Sequence, residues 1–171
     1  MKQAALACFA LMLSTAIFAQ APGPVTRAEA AATFKDVETA LKIFSGGKIK
    51  TFAPKWGAPG PASRAEIILA LDKAFEQLRP QFKFTPRMVK YDATLLRPVD
   101  PAASKPLAKL VSWGCISRLG PLATNPTPMI GPAEFGEALG FMLVRLSELT
   151  HTPSSKWTPA MMYGYGGGGG G

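Results

Sequence analysis

The sequence predicts a mostly α-helical fold, and three observations support this prediction. Three stretches of the chain begin with a residue pattern that caps helices. Each stretch continues with apolar residues at helical spacing. Two further segments, each containing the glycine that ends a helix, match one another position by position, which indicates an internal repeat. The chain has 171 residues, enough for one compact domain or two very small ones.

Composition excludes several classes of protein. Hydrophobic residues make up 47% of the chain and charged residues 18%, which excludes a highly charged disordered chain. One His and two Cys leave almost nothing for a zinc site or a Cys/His catalytic pair, so we predict no metal, no cofactor and no catalytic residues. The formal net charge of +8 favours an anionic polymer as partner. The basic residues are spread rather than clustered, which argues against nucleic acid.

The N-terminus has the form of a signal peptide, which we place at residues 1–19. Its apolar run, residues 4–19, is short for a membrane span. Ala19 and Ala21 form a small-x-small cleavage pattern, and we prefer cleavage after Ala19 because a cut after Ala21 would place Pro22 next to it. The sequence therefore predicts export, to the cell envelope or beyond, without stable membrane insertion after cleavage. An uncleaved anchor is the alternative.

Three helix starts carry the capping-box pattern. In this pattern a hydroxyl at the cap accepts from an amide three residues on, and a Glu at that position reaches back to the cap amide. The third copy is weaker, because its cap is a glycine followed by Pro132, a residue tolerated at the first helical position. The three pairs are Thr26 with Glu29, Ser63 with Glu66, and Gly131 with Glu134.

Apolar side chains after each start recur every three or four residues, as on one face of a helix. We expect these faces to converge on one core. The first helix should end at Gly46 and Gly47, the second before Pro80, and the third before Thr150. The apolar positions are Phe34, Val37, Leu41 and Phe44; Ile68, Leu71, Phe75 and Leu78; and Phe135, Leu139, Met142, Leu146 and Leu149.

The internal repeat is clearest in residues 42–49 and 109–116. Both read Lys, two apolar residues, Ser, any residue, Gly, any residue, Ile. The spacing between them agrees within one residue with the spacing between the caps at Ser63 and Gly131. The inferred units span about residues 36–79 and 100–149, and a half unit begins at Thr26.

Aligned positions of the two units carry structural predictions. Gly47 and Gly114 should adopt the left-handed conformation that closes a helix. Phe44 and Val111 should both be buried.

Two regions lie outside the repeat. Residues 80–99 separate the units, and their partial alternation of apolar and polar residues allows a short strand or an extended arm. Residues 150–171 have no periodic signal and end in six glycines, which predicts a flexible Gly-rich tail.

These repeats resemble the S-layer homology domain, a cell-envelope-binding module of three similar helical units. Residues 25–29 and 62–66 look like the family's helix-opening motif, Ile-Thr-Arg-Ala-Glu. Residues 51–54 look like its loop motif, Thr-Phe-x-Pro. Residues 99–101, followed by 107–116, are similar to the family's unit opening.

The resemblance covers residues 25–149 and implies a pseudo-threefold bundle of helix–loop–helix units. It further implies grooves between units that bind anionic cell-wall glycan. The family's groove arginine corresponds to Arg27 and Arg64. In the third unit Pro132 stands in its place, so we expect fewer than three grooves, or degenerate ones.

Several candidate residues have a second interpretation. Trp56 and Trp113 lie in or beside loops where they can stack on a sugar, but Trp113 also suits covering a helix end. Arg27 and Arg64 also fit solvated positions with no ligand. Cys115 is more typical of a small buried hydrophobe than of a nucleophile.

The sequence therefore predicts a non-enzymatic, exported module that attaches to anionic cell-wall polysaccharide. The first alternative is a secreted helical structural or interaction protein that keeps the fold without binding glycan. The second is a small enzyme acting on wall polymers, which would need paired carboxylates in a cleft, and the sequence supplies none. The pattern makes no prediction of oligomeric state.

Overall fold

The structure, a computed structural model, describes residues 23–45, 47–97 and 100–152. Within these ranges the chain is mostly helical, as predicted, and the regular elements are helices without β-strands. The predicted signal peptide and the tail beyond residue 152 lie outside the described residues. The α-helices are α1 (Arg27–Phe44), α2 (Arg64–Leu78), α3 (Pro101–Ser112), α4 (Pro121–Thr124) and α5 (Pro132–Thr150), with 3-10 turns at Arg79–Gln81 and Ala93–Leu95.

The capping boxes at the starts of α1 and α2 are both formed. The amide of Thr26 donates to Glu29 Oε2 at 2.9 Å, and the amide of Glu29 donates to Thr26 Oγ1 at 3.2 Å. At α2 the amide of Ser63 donates to Glu66 Oε2 at 2.8 Å, and the amide of Glu66 donates to Ser63 Oγ at 3.1 Å. Each helix therefore begins where the pattern predicts.

The start of α5 forms half of the box. The amide of Gly131 donates to Glu134 Oε2 at 2.7 Å, but a glycine has no side chain to return the bond. The helix runs one residue further than expected, through Thr150, and His151 ends it in the left-handed conformation at φ 53°. A non-glycine residue there carries a modest conformational cost.

The three apolar faces meet in one core. All members of the α2 and α5 faces are buried, as are Phe34, Val37 and Leu41 of α1. The rings of Phe34 and Phe135 lie 5.6 Å apart and join α1 to α5. Val111 is fully buried, as predicted, whereas the side chain of Phe44 lies outside the described residues.

The two aligned helix ends have the same local geometry. Gly47 and Gly114 take φ values of 78° and 70°, which confirms the left-handed prediction. In both segments the hydroxyl of the aligned serine donates to the carbonyl of the aligned lysine. These bonds join Ser45 to Lys42 at 3.3 Å and Ser112 to Lys109 at 2.8 Å.

Backbone hydrogen bonds tie together the loops that precede α1, α2 and α5. The amides of Arg27 and Arg64, at the first position of their helices, each donate to the loop before another helix. At the same position of α5, Pro132 has no N–H to donate. The bonds are Val25 to Ile130 O at 2.9 Å, Ala62 to Val25 O at 2.9 Å, Arg27 to Gly60 O at 2.8 Å and Arg64 to Pro128 O at 2.7 Å.

Between the units, the chain forms an extended arm rather than a strand. Three backbone hydrogen bonds, each 2.8 Å long, anchor it to the helices. The arm passes the end of α5, then the end of α3, and then α4, without pairing as a strand in the described residues. The anchoring amides and carbonyls are Lys83 to Leu149, Val89 to Ser112, and Arg97 to Ala123.

Replacing Gly114 by Ala should destabilise the fold by about 1–2 kcal/mol, because an L-residue is disfavoured at positive φ. The added Cβ would also lie 3.4 Å from both Arg145 Nε and Val89 Cγ2. Urea unfolding measures the effect. Gly57→Ala is the control, since its Cβ would meet open space and its φ is not positive. Equal free energies of unfolding for Gly114→Ala and Gly57→Ala would contradict the left-handed conformation of Gly114.

Candidate functional site

Arg27 lies at the junction between the starts of α1 and α2. Its Nε donates to Glu66 Oε1 at 2.9 Å, and its Nη1 lies 3.5 Å from the carbonyl oxygen of Pro59. The side chain remains 28% exposed. Within the described residues Nη2 donates to no protein group, so part of the guanidinium fork is open to an acceptor from solvent.

Glu66 holds this guanidinium while it caps α2. Burial opposes the charge on its carboxylate, but hydrogen bonds from Ser63 and Arg27 outweigh burial, so the pKa of Glu66 lies below its ordinary value. The carboxylate is therefore ionised at neutral pH. Glu66 therefore both caps α2 and orients Arg27. The capping motifs of α1 and α2, taken separately, do not reveal this contact.

Arg64 occupies the matching sequence position but a different environment. It is only 2% exposed, and its Nη2 donates to the carbonyl of Arg97 at 3.1 Å. Burial lowers the pKa of the guanidinium. The Arg64 side chain is part of the interior, so it fits neither an open groove nor a solvated position.

The junction between α2 and α5 is built differently from that between α1 and α2. There Asn125 Nδ2 donates to Glu134 Oε1 at 3.1 Å, in the place that Arg27 Nε takes on Glu66. A neutral amide thus replaces the cation. This junction therefore attracts an anion less strongly than the junction between α1 and α2 does.

Trp56 belongs to the same loop that contacts Arg27. It is partly buried against the core and precedes Pro59 by three residues, at most about 10 Å of chain. The structure therefore places Trp56 in the loop whose Pro59 carbonyl lies near the Arg27 guanidinium.

A buried carboxylate fixes this loop. Glu38 of α1 accepts hydrogen bonds from the amides of Phe52 and Ala53, at 2.7 and 2.8 Å, and from Lys42 Nζ at 2.5 Å. Burial opposes its charge, but these three donors outweigh burial and hold the pKa of Glu38 below its ordinary value. The sequence reasoning missed Glu38, since nothing in its spacing relates a helical Glu to a loop 14 residues later.

Trp113 lies at the other end of α2, away from both arginines of the prediction. Its ring forms an edge-on pair with that of Phe75 at 5.2 Å and a tilted pair with that of Phe82 at 5.7 Å. Phe75 is about 16 Å along the helix from Arg64. The guanidinium beside Trp113 is that of Arg79, 5.9 Å from the ring centre. The four predicted site residues thus do not form one cluster.

Cys115 lies in the interior of the fold, where it is fully buried, and burial raises the pKa of its thiol to about 12. Among the described residues no three His, Cys, Asp or Glu side chains gather to hold a metal ion. No helix in these ranges is both long and apolar enough to cross a membrane.

Comparisons with known proteins add no relative. Neither a family model, nor a curated protein, nor a solved structure matches the chain. The resemblance to S-layer homology units therefore rests on the sequence motifs alone.

Proposed function

We propose that this protein is an exported, non-catalytic module that binds anionic cell-envelope glycan at the junction between α1 and α2. The observation that carries the proposal is the guanidinium of Arg27, held between two helix starts by Glu66 and left partly open. A planar guanidinium pairs well with a carboxylate or phosphate of a polymer and keeps its charge at every physiological pH.

The surroundings of Arg27 favour an anion further. It stands at the first position of α1, the end of the helix dipole that carries partial positive charge. Both side chains of the Arg27–Glu66 ion pair are partly exposed, so the pair contributes little to stability. An anion that competes with Glu66 for Arg27 therefore loses little binding energy. A net charge of +8 adds long-range attraction for a polyanion.

A pseudo-threefold arrangement of S-layer-homology-like units belongs to the same proposal. It is supported by the bonded loops before α1, α2 and α5 and by the shared geometry at Gly47 and Gly114. In this account one junction binds glycan, because Arg64 is buried and Asn125 takes the cation's place at the next junction.

The proposal is tested first on the wild-type protein by sedimentation with purified cell-wall sacculi. We expect retention on native sacculi, and loss of retention once the acidic polymers are chemically removed, because the ligand is anionic. Raising the salt concentration should weaken binding in parallel. Equal retention on stripped and native sacculi would refute an anionic ligand. No retention on either would favour the structural or interaction protein.

A further inference from the structure

A groove bordered by the ends of α2, α3 and α5 is separate from the Arg27 junction. Its volume is about 680 Å³, within the range of small-molecule sites. We propose that this groove binds a single-chain anionic amphiphile, that is, an acyl or alkyl chain with a carboxylate or phosphate head.

The lining combines cations with apolar side chains. Arg79 and Lys83 supply two positive charges, and no carboxylate lines the groove in the described residues. Phe84 and Met88 are 41% and 42% exposed, so they present apolar surface whose hydration is unfavourable. Charge and apolar surface together match a ligand that has an acidic head and an apolar body.

The groove is held open by the extended arm. The arm is bonded to α5 through Lys83 and to α3 through Val89, both at 2.8 Å, and residues 84–88 span the gap between these anchors. Arg145 fixes the far wall, since its Nε donates to the carbonyl of Trp113 at 3.0 Å. A cleft shaped before binding loses little entropy when a ligand enters.

Arg79 is available to a ligand head group. Its ion pair with Glu76 is 3.5 Å long, and both side chains are well exposed, so the pair is weak. Glu76 has a second and closer partner, Lys109 at 2.6 Å, which keeps it paired if Arg79 turns toward an anion.

An alkyl chain fits this groove better than a sugar does. Sugars stack on an open aromatic face, but Arg79 lies over the Trp113 ring and the Phe75 ring packs edge-on against it. The Phe84 ring in turn lies 5.3 Å from the ring of His151. The remaining apolar surface includes the flexible thioether of Met88, which adapts to a linear chain.

Titration calorimetry with dodecyl phosphate, below its micelle concentration, tests the proposal on the full chain. We expect one-to-one binding. Dodecyltrimethylammonium, with the same chain and the opposite charge, should bind at least tenfold more weakly. Each methylene removed from the alkyl phosphate should weaken binding by about fourfold.

Variants locate the site. The double change Arg79→Gln and Lys83→Gln should weaken dodecyl phosphate binding at least tenfold, and Met88→Gln about fivefold. The matched control, Lys35→Gln with Lys48→Gln, removes two exposed charges elsewhere and should leave binding unchanged. Arg27→Ala should also leave it unchanged, which separates this site from the proposed glycan junction. Circular dichroism verifies folding of each variant.

Three results would overturn the proposal. Equal binding of the cationic and anionic detergents would remove the role of charge. If acidic wall glycan displaces dodecyl phosphate and the double variant Arg79→Gln with Lys83→Gln binds neither ligand, that result would assign the groove to glycan. Retention on anionic phospholipid vesicles without binding of monomeric dodecyl phosphate would assign it to a membrane surface.

Discussion

Replacing Phe34 by Ala should lower the free energy of unfolding by about 3–5 kcal/mol. Phe34 is fully buried on α1, and its ring meets that of Phe135 on α5 at 5.6 Å. Truncation removes this contact and leaves a cavity where the first and last long helices pack together. Urea unfolding followed by circular dichroism gives the value.

The matched control is Phe141→Ala, the same chemical change on α5 at a side chain that is 45% exposed. It should cost less than about 1 kcal/mol, because little apolar area is lost from the interior. A loss below about 1 kcal/mol for Phe34→Ala would show that α1 is peripheral to the core.

Replacing Glu38 by Ala should cost about 3–4 kcal/mol. The change removes the acceptor of two loop amides, those of Phe52 and Ala53, and the partner of Lys42. A buried N–H without an acceptor carries its full desolvation cost. Asp36→Ala, an exposed acid on the same helix, is the control and should change stability by no more than about 0.5 kcal/mol.

The Glu38 carboxylate also predicts a pH dependence. Its pKa is lowered in the folded state, so its stabilising contribution is complete above the unfolded pKa and is lost as the pH falls through the folded pKa. Wild-type stability should therefore decline below about pH 5, and Glu38→Gln should flatten part of that decline. Glu29, Glu66 and Glu76 share the direction of shift, so a residual slope is expected. An unchanged slope in Glu38→Gln would contradict a stabilising role for the ionised Glu38 carboxylate.

Local features of the fold were predictable because they depend on neighbouring residues. A capping box involves positions three residues apart, and the boxes at Thr26 and Ser63 formed as expected. A helix-ending glycine is equally local, and Gly47 and Gly114 adopt the expected conformation. Apolar periodicity identified the buried faces for the same reason.

The candidate site was less predictable, because side-chain burial depends on tertiary packing. Arg27 and Arg64 follow the same motif, yet the Arg27 side chain is partly open, whereas Arg64 is 2% exposed and donates to the carbonyl of Arg97. The position of Trp113 beside a loop allows either stacking on a sugar or covering a helix end, and in the structure its ring packs on Phe75 at the far end of α2. Apart from Trp113, the lining of the second groove comes from residues 79–88, which carry no motif.

Substitution of Arg27 tests most directly whether this residue contacts an envelope glycan. Sedimentation with wall sacculi compares wild type, Arg27→Ala, Arg27→Lys and the charge-matched control Lys35→Ala, an exposed cation on the same helix. A charge-assisted contact of this kind is worth about 1.5–3 kcal/mol, so Arg27→Ala should bind about ten- to a hundredfold more weakly. Arg27→Lys should recover part of the loss, because it keeps the charge without the planar fork. Lys35→Ala should bind like wild type. If folded Arg27→Ala binds sacculi as tightly as wild type does, the junction is not the glycan site.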